Sequence, residues 1–392
     1  ADANLDETSP GIVLALLWNL ADVHRQLGDN EAIVVVADRI IATSGDNSDA
    51  MVAKFLQWLV HNQAWDGLDL FADKYDSRIR QTKQSLYLVA LGHALQDQTK
   101  LADELASEAA QLAARSTPNP VESLAEQLNL AQVVVGWGQF DWAVREYRQS
   151  FADKPIDAPE SMAGRVLLSN LLHDYEHFRE SAEAVEPLAK ALEKNRDVQR
   201  AYANLQGELA QYDTYLIGAE AIPAREHFML AEHYGRERDY ARQREHLLKA
   251  IEHDPKDADV LIAMYRAPET DKTWQADVRT RIEKLARAIE REIDDDPTNP
   301  VPYNQWAWLI ANTEGDYAKA VRFSRRSLEL YPGQASFLDT LGRCYYAAGD
   351  YKKAVRYQRE AVEQIPNMQV MQRQLKLFED KLAKQDTAAP AA

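Results

Sequence analysis

The stretch that decides the fold is Gly-Asp-Tyr-Lys-Lys-Ala-Val-Arg-Tyr-Gln-Arg-Glu-Ala-Val-Glu-Gln-Ile-Pro, at residues 349–366. A similar stretch, Gly-Asp-Tyr-Ala-Lys-Ala-Val-Arg-Phe-Ser-Arg-Arg-Ser-Leu-Glu-Leu-Tyr-Pro, occupies residues 315–332, 34 positions earlier. Self-similarity at a fixed period of this length is the signature of a repeat architecture. An internal repeat therefore organises at least the C-terminal third of the chain.

The spacing between the turn residue and the closing proline recurs further up the chain. In each case 16 positions separate the two residues, and an aromatic residue directly follows the first of them. The four matches are Asp316 with Pro332, Asp350 with Pro366, Asp239 with Pro255, and Gln139 with Pro155. Glycine suits the left-handed position that ends a first helix, and proline stops a second one. The pattern predicts helix-turn-helix units.

The last unit resembles the tetratricopeptide repeat (TPR) family, whose period is also 34 residues. The family positions are met by Leu341-Gly342, Tyr345, Gly349, Ala354, Ala361 and Pro366, whereas Gln358 stands where the family often has Phe. A unit in the N-terminal half is similar, with Leu130-Ala131, Gly138, Ala143, Tyr147, Ser150 and Pro155. The resemblance implies an all-α fold, an α-solenoid of about eight to ten TPR-like helix pairs that form a right-handed superhelix, in a bacterial protein.

The rest of the chain predicts two solenoid blocks. Softer matches at Leu20-Ala21, Phe55-Leu56 and Leu91-Gly92 indicate three N-terminal units. One apolar helix face followed by Pro223 indicates a joint, and the C-terminal residues show no apolar periodicity. The predicted segments are a flexible start (1–10), an N-terminal block (11–196), a connecting helix (197–223), a C-terminal block (224–380) with an inserted or extended repeat at 258–297, and a disordered tail (381–392).

Composition limits the partners and the compartment. The net charge of -17 argues against nucleic acid, because phosphate binding depends on clustered Lys and Arg. Cys344 is the only cysteine, which excludes an intrachain disulfide and a cysteine zinc site. No apolar run approaches the roughly 18 residues of a membrane span. The small residues Ala1-Asp2-Ala3 favour a processed N-terminus and an extracytoplasmic location, with the cytoplasm left open.

The segment His173-Asp174-Tyr175-Glu176-His177 differs by one methylene from the zinc metallopeptidase signature. That signature needs both histidines on one helical face. The repeat register instead places His177 in the turn between two helices and Phe178 at a packing position. We therefore predict no catalytic, cofactor or metal site, and a metal-dependent hydrolase at His173 and His177 is kept as a remote alternative.

Three other candidates for chemistry are expected to be structural. The histidines between 227 and 253 are spread over two predicted helices without a consistent spacing of four residues. Asp294-Asp295-Asp296 lacks the glycine and the glutamate of a calcium loop. Cys344 is expected to be a packed thiol.

The family resemblance implies a concave groove, lined by the first helix of each pair. Carried over by register, its residues are Arg225, Phe228, Glu232, Arg236, Gln305, Leu309, Asn312, Thr313, Ser336, Asp339, Arg343 and Tyr346. The Lys, Asn and Arg clamp with which some family members hold a C-terminal carboxylate is not reproduced, since its Lys and Asn positions hold other residues. The mixture of aromatics, amides and both charges suits an extended peptide or a partner helix.

These observations predict a non-enzymatic scaffold or adaptor that binds a peptide or partner protein through its concave groove. It acts either alone or as a subunit of a homo- or hetero-oligomer. The alternative is a regulator that senses a ligand or peptide and changes shape.

Overall fold

The computed structural model describes residues 10–113 and 118–388, and apart from one short 3-10 turn its regular elements there are all α-helices. Contacts divide the chain into two compact units, residues 1–150 and 151–392. The first unit contains α1 (Pro10–Leu27), α2 (Asn30–Thr43), α3 (Ser48–His61), α4 (Trp65–Ile79), α5 (Lys83–Leu95), α6 (Thr99–Gln111), α7 (Pro120–Gly136) and α8 (Phe140–Phe151), which crosses the division by one residue. No described helix has both the length and the apolarity to cross a bilayer.

The second unit contains the remaining twelve helices of the described residues. They are α9 (Pro159–Asp174), α10 (Phe178–Lys194), α11 (Arg196–Ala210), α12 (Ala221–Arg236), α13 (Tyr240–His253), α14 (Ala258–Arg266), α15 (Lys272–Asp295), α16 (Pro300–Asn312), α17 (Tyr317–Leu330), α18 (Ala335–Ala347), α19 (Tyr351–Gln364) and α20 (Gln369–Ala388). Consecutive helices pack as antiparallel pairs, such as α12 with α13, α16 with α17 and α18 with α19. The all-α fold of TPR-like helix pairs is confirmed.

Eight helix pairs share one feature of the turn between their helices. Two positions before the second helix of each pair, the backbone has a positive φ, at Gly28, Gln63, Asp97, Gly138, Glu176, Arg238, Gly315 and Gly349. The next amide usually donates to the carbonyl five residues back, as Asp350 N does to Tyr345 O at 2.9 Å. This is the Schellman arrangement, which satisfies carbonyls at the end of the first helix. The turn therefore recurs in pairs that lack the glycine and the proline.

Aspartates at several of these turns also begin the second helix. The carboxylate of Asp350 accepts a hydrogen bond from Lys353 N at 3.1 Å, and Asp316, Asp239 and Asp29 do the same for the amides three positions ahead. An aspartate in this position satisfies an amide that has no partner within the helix. The repeated Gly-Asp-Tyr is thus a helix stop followed by a helix start.

The helices of the last pair approach closely at Gly342. A Cβ atom built there would lie 3.2 Å from both Ala354 O and Gln358 N, and 2.9 Å from Gln358 Oε1. Gln358 is fully buried and is held by Gln374, whose Nε2 donates to its Oε1 at 3.1 Å. The departure from Phe at position 358 therefore replaces an apolar contact by a buried hydrogen-bond network.

A buried charged group joins three helices of the first unit. Lys83 Nζ donates to Glu146 Oε1 at 2.6 Å and to Ala110 O at 3.2 Å, and Tyr87 OH donates to Glu146 Oε2 at 2.8 Å. Lys83 and Glu146 are both buried. Each charge has its partner, as burial of an ion requires, so the group fixes α5, α6 and α8 relative to one another.

The observed division differs from the predicted blocks. The two units separate at residue 150, whereas α11, predicted as part of a connecting helix at 197–223, packs on α9 and α10 inside the second unit. Its apolar face is buried at Val198, Tyr202, Leu205 and Leu209. A helix whose apolar stripe is fully buried belongs to the core of a unit. The amphipathic sequence of α11 shows that one face is covered, but not whether the helix lies within a unit or connects two units.

The predicted ends of the chain also need revision. α20 continues to Ala388, so residues 381–388 of the predicted disordered tail are helical, because Leu382 continues the stripe of Met371, Leu375 and Phe378 that packs on α18 and α19. α1 begins at Pro10, the last residue of the predicted flexible start. Residues 1–9 and 389–392 lie outside the described residues.

The predicted insertion corresponds to an irregular pair. α14 has 9 residues, α15 has 24, and Trp274 Nε1 in α15 donates to Met264 O in α14 at 3.0 Å. The indole thereby closes the polar turn between them.

The close approach at Gly342 gives a testable prediction. Gly342→Ala adds a methyl group to a contact without space, which costs about 1–3 kcal/mol and exceeds the gain of about 1 kcal/mol in helix propensity. The midpoint of urea unfolding is expected to fall. Gly207→Ala is the matched control in the second unit, because nothing lies within 4 Å of its added Cβ, and its midpoint is expected to rise. A rise for Gly342→Ala as well would contradict the packing described.

A candidate binding cavity in the second unit

A cavity of about 1100 Å³ lies among the helices of the second unit. Its walls come from α9, α12, α16 and α18, which are first helices of their pairs, from the irregular pair α14 and α15, and from the beginning of α20. We call it the unit 2 cavity. Its lining combines the aromatic rings of Phe178, Phe228 and Trp308, several side-chain amides and both signs of charge.

Seven of the twelve predicted groove residues line this cavity. They are Phe228, Glu232, Gln305, Asn312, Ser336, Asp339 and Arg343. The other five lie elsewhere. Leu309 and Thr313 are buried, Tyr346 stacks on Phe378 with ring centroids 4.6 Å apart, and Arg225 and Arg236 are held by ion pairs with Asp259 and Glu176. A helix presents only a narrow stripe of residues to a concave surface. Residues at the borders of that stripe therefore point into the core or towards other surfaces of the protein.

Several lining residues were not among the predicted groove positions. Arg266 ends α14, Trp308 lies in α16 beside the predicted positions, and Arg373 belongs to α20. Trp308 Nε1 donates to Asp259 Oδ1 at 2.8 Å, which joins α16 to α14 across the wall. The repeat register could have indicated Trp308 as the neighbour of Leu309, whereas α14 and α20 follow no repeat pattern.

Two arginines of the cavity are held at the C-terminal end of α16. Arg266 Nε donates to Asn312 O at 3.3 Å and its guanidinium also bonds Asn312 Oδ1, while Arg343 Nε donates to Ala311 O at 3.2 Å. The negative end of a helix dipole favours cations at this place. Within the part of the chain that the structure describes, neither guanidinium has a carboxylate at ion-pair distance. Burial, together with the charge of Arg343, lowers the pKa of Arg266 to about 10, and burial also lowers the pKa of Arg343.

The carboxylates of the cavity are perturbed in the opposite direction. Burial raises the pKa of Asp339 to about 6, although its Oδ1 accepts from Gln358 Nε2 at 2.6 Å and from Gln374 Nε2 at 3.0 Å. Burial likewise raises the pKa of Glu232. The cavity therefore holds acidic and basic groups that are desolvated without being paired with each other.

Glu176 connects α12 and α20 at one side of the cavity through two ion pairs. This residue has a φ of +65° in the turn between α9 and α10, and its carboxylate meets Arg236 of α12 at 2.8 Å and Arg373 of α20. The contact joins the start of the second unit to its last helix. It is the structural role of the pentapeptide 173–177, whose spacing resembles a zinc signature.

The histidines of that pentapeptide have separate surroundings. α9 ends at Asp174, between the two, and His177 begins α10 as its N-cap, as the register predicted. His173 packs on Phe178 with ring centroids 5.7 Å apart and lines the cavity. Among the described residues, no group of three or more His, Cys, Asp or Glu side chains could hold a metal ion.

The other candidates have packing partners. His227, His246 and His253 come together in the α12 and α13 pair, with the ring of His227 5.2 Å and 5.7 Å from the other two, and burial lowers the pKa of His227 to about 4. Cys344 is fully buried, which raises the pKa of its thiol to about 12. Asp296 accepts hydrogen bonds from Thr298 N and Oγ1, which lowers its pKa and shapes the turn before α16.

The last regular helix pair matches a known family. Residues 335–368, which include α18 and α19, match the family model of the tetratricopeptide repeat. The chain carries a tetratricopeptide repeat. No curated protein matches the sequence significantly.

Several solved structures of TPR proteins have a weak structural similarity to this chain. The thermophilic TPR protein TTC0263 of Thermus thermophilus has 14% identity and a TM-score of 0.32 over 65% of this chain and 98% of its own. YrrB, a TPR protein with an unusual peptide-binding site, has 13% identity and a TM-score of 0.24 over 59% and 97%. The Cut9-Hcn1 hetero-tetramer of APC/C has 13% identity and a TM-score of 0.27 over 97% and 87%.

The raised pKa of Asp339 predicts a pH dependence of stability. Because the folded carboxyl binds its proton more tightly than the unfolded one, whose ordinary pKa is 3.8, this residue makes the folded state less stable as the pH rises from about 4 to about 6. Asp339→Asn keeps an oxygen that can accept both amide hydrogen bonds and removes the charge. Relative to the unchanged protein, it is expected to gain about 2 kcal/mol in free energy of unfolding between pH 4 and pH 7.

Urea unfolding of both proteins across that pH range measures this gain. Other buried acids, such as Asp257 with a pKa raised to about 6, cancel in the difference. A difference that does not change with pH would contradict a buried, charged Asp339.

Proposed function

We propose that this protein is a non-enzymatic interaction scaffold that holds an extended segment of a partner polypeptide in the unit 2 cavity. The observation that carries the proposal is the cavity itself. At about 1100 Å³ it is slightly larger than the usual ligand site of about 300–1,000 Å³. Its hydrogen-bonding groups and aromatic rings lie side by side, as a peptide with a repeating backbone and varied side chains requires.

The polar groups of the lining suit a peptide backbone. Each guanidinium has five N–H donors, and the bonds of Arg266 and Arg343 to the end of α16 use only some of them. These donors can meet carbonyl oxygens or an acidic side chain. Asn304 Oδ1 is buried at the lining and makes no hydrogen bond within the described residues, so it can accept from a backbone N–H.

The apolar groups provide sites for side chains between these polar contacts. Phe228 and Trp308 come from the first helices of two pairs, and Leu377 comes from α20. Aromatic and aliphatic side chains of a partner would lose contact with water against these surfaces, which supplies most of the affinity in peptide recognition. Buried Gln and Asn side chains would then set the register.

The proposal is tested with a random peptide library selected on the whole protein. Peptides recovered are titrated against Arg343→Glu, which reverses one charge in the cavity. The loss of a charged hydrogen bond, worth about 1.5–3 kcal/mol, is expected to weaken binding by about 10-fold or more. The measurement is isothermal titration calorimetry.

The matched control is Arg325→Glu, the same change at an exposed residue of α17 that does not line the cavity. Its affinity is expected to stay unchanged. Equal effects of the two variants, or a selection that yields no binding peptide, would refute the unit 2 cavity as the binding site.

A second candidate function is a regulator whose shape responds to the bound segment. The observation that favours it is the tie of Glu176 to Arg236 and Arg373, since an occupant of the cavity that approaches Arg373 competes for its guanidinium. Breaking this tie would free α20 from the turn between α9 and α10.

Small-angle scattering tests the regulator. A selected peptide is expected to increase the radius of gyration, and Arg373→Glu is expected to do so without peptide, because its carboxylate repels Glu176. The control is Arg359→Glu, whose exposed side chain pairs with Glu379 on the helix pair α19 and α20 instead. An unchanged radius with bound peptide would leave the rigid scaffold as the function.

A further inference from the structure

The first helix of the chain has an uncovered apolar stripe. Ile12, Leu16, Leu20, Val23 and Leu27 of α1 are 55%, 61%, 37%, 48% and 74% exposed. The opposite face of α1 is the packed one, with Leu17 and Ala21 buried and Trp18 5.3 Å from Phe55 in α3. The stripe is thus a second apolar face, directed away from the unit's own core.

A terminal helix of a repeat protein normally has a polar outer face. Interior helices bury both faces against neighbours, so the last one needs a polar surface toward water. At the end of the second unit, α20 follows this rule, since Phe378 is fully buried while Lys376, Asp380 and Lys381 are exposed. α1 does not follow it, and in the described residues nothing covers its stripe.

The residues of this sequence that lie outside the described ranges have little apolar surface. The segments 1–9, 114–117 and 389–392 contain a single large apolar residue, Leu5. One side chain cannot match a stripe that extends over 16 residues of helix. The described chain therefore leaves the stripe open to contact with another molecule.

We propose that the occupant is α1 of a second copy, packed antiparallel against the first. The stripe is self-complementary in that arrangement, because Ile12 and Leu27 lie equally far from its midpoint, and so do Leu16 and Val23. A two-fold axis near Leu20 then places Ile12 against Leu27 of the other copy and Leu16 against its Val23. An isologous interface requires this kind of symmetry.

Charge favours the same surface. The chain carries a net charge of -17, so most of its surface repels a second copy. Residues 10–21 of α1 contain no charged side chain. The spacing of four, three and four positions from Leu16 to Leu27 is that of a coiled-coil seam.

The area sets the strength of the dimer. A helix of 18 residues is about 27 Å long and about 10 Å wide. The area that one such face can bury is therefore smaller than the roughly 800 Å² per partner of a standard stable interface. The dimer is therefore reversible and forms as concentration rises. It uses a surface of the first unit and does not depend on the proposed function of the cavity.

Analytical ultracentrifugation of the whole chain from about 5 to about 200 µM tests the proposal, since mass action shifts a reversible dimer over such a range. The weight-average mass is expected to rise from 44.4 kDa toward twice that value. Leu16→Glu and Val23→Glu are each expected to keep the monomer mass throughout. Leu101→Glu is the control, because it places the same charge on an exposed apolar site of α6, and it is expected to dimerise normally. A constant monomer mass for the unchanged protein, or no difference between the variants and the control, would overturn the proposal.

Single cysteines test the antiparallel geometry. Under mild oxidation Leu20→Cys is expected to form a covalent dimer, since it lies near the axis, whereas Ile12→Cys is expected to remain monomeric. The native Cys344 is fully buried and does not compete. A covalent dimer of Ile12→Cys would indicate a parallel pair and overturn the arrangement.

Discussion

The turn between paired helices is the constraint on which the rest of this structure depends. One residue in the left-handed region stops the first helix, and the next amide returns a hydrogen bond to that helix, so the second helix starts in a fixed direction. Seven pairs among the described residues repeat this turn, and the pair α16 and α17 has the positive φ at Gly315 without the returning hydrogen bond. Glycine takes the position in Gly28, Gly138, Gly315 and Gly349, while Glu176 and Arg238 adopt it with a side chain. A short turn that fixes direction allows each pair to bury its apolar faces against the next.

The unit 2 cavity arises where the regular pattern is broken. Gln358 replaces an aromatic residue and brings Asp339 and Gln374 into one buried network. The irregular pair α14 and α15 contributes Arg266 at the end of a short helix. α20 does not continue the repeat, and its first turns form a wall of the cavity. Regular pairs therefore supply the frame, and the departures supply the charged and amide groups that give the cavity its chemistry.

Particular residues show which features of the structure could be predicted from the sequence. The register predicted the left-handed Gly349, the helix stop before Pro366 and the position of His177 in a turn, because each depends on backbone preferences of a few neighbouring residues. It placed Phe228, Glu232 and Arg343 at the cavity but also included Leu309 and Tyr346, which pack inward or on α20. It missed Arg266 and Arg373, since their helices follow no period from which a facing direction could be read.

The sequence by itself determined the helix pairs, because the period of 34 residues, the left-handed glycines and the closing prolines act through local geometry. Only the tertiary structure decided which faces meet. Glu176 and Arg373 are nearly 200 positions apart and form an ion pair because the helices between them bring the two ends of the second unit together. The stripe on α1 has the composition of a core face and is exposed because no described helix lies over it. Contacts of this range depend on the summed rotation of many pairs, which no local pattern encodes.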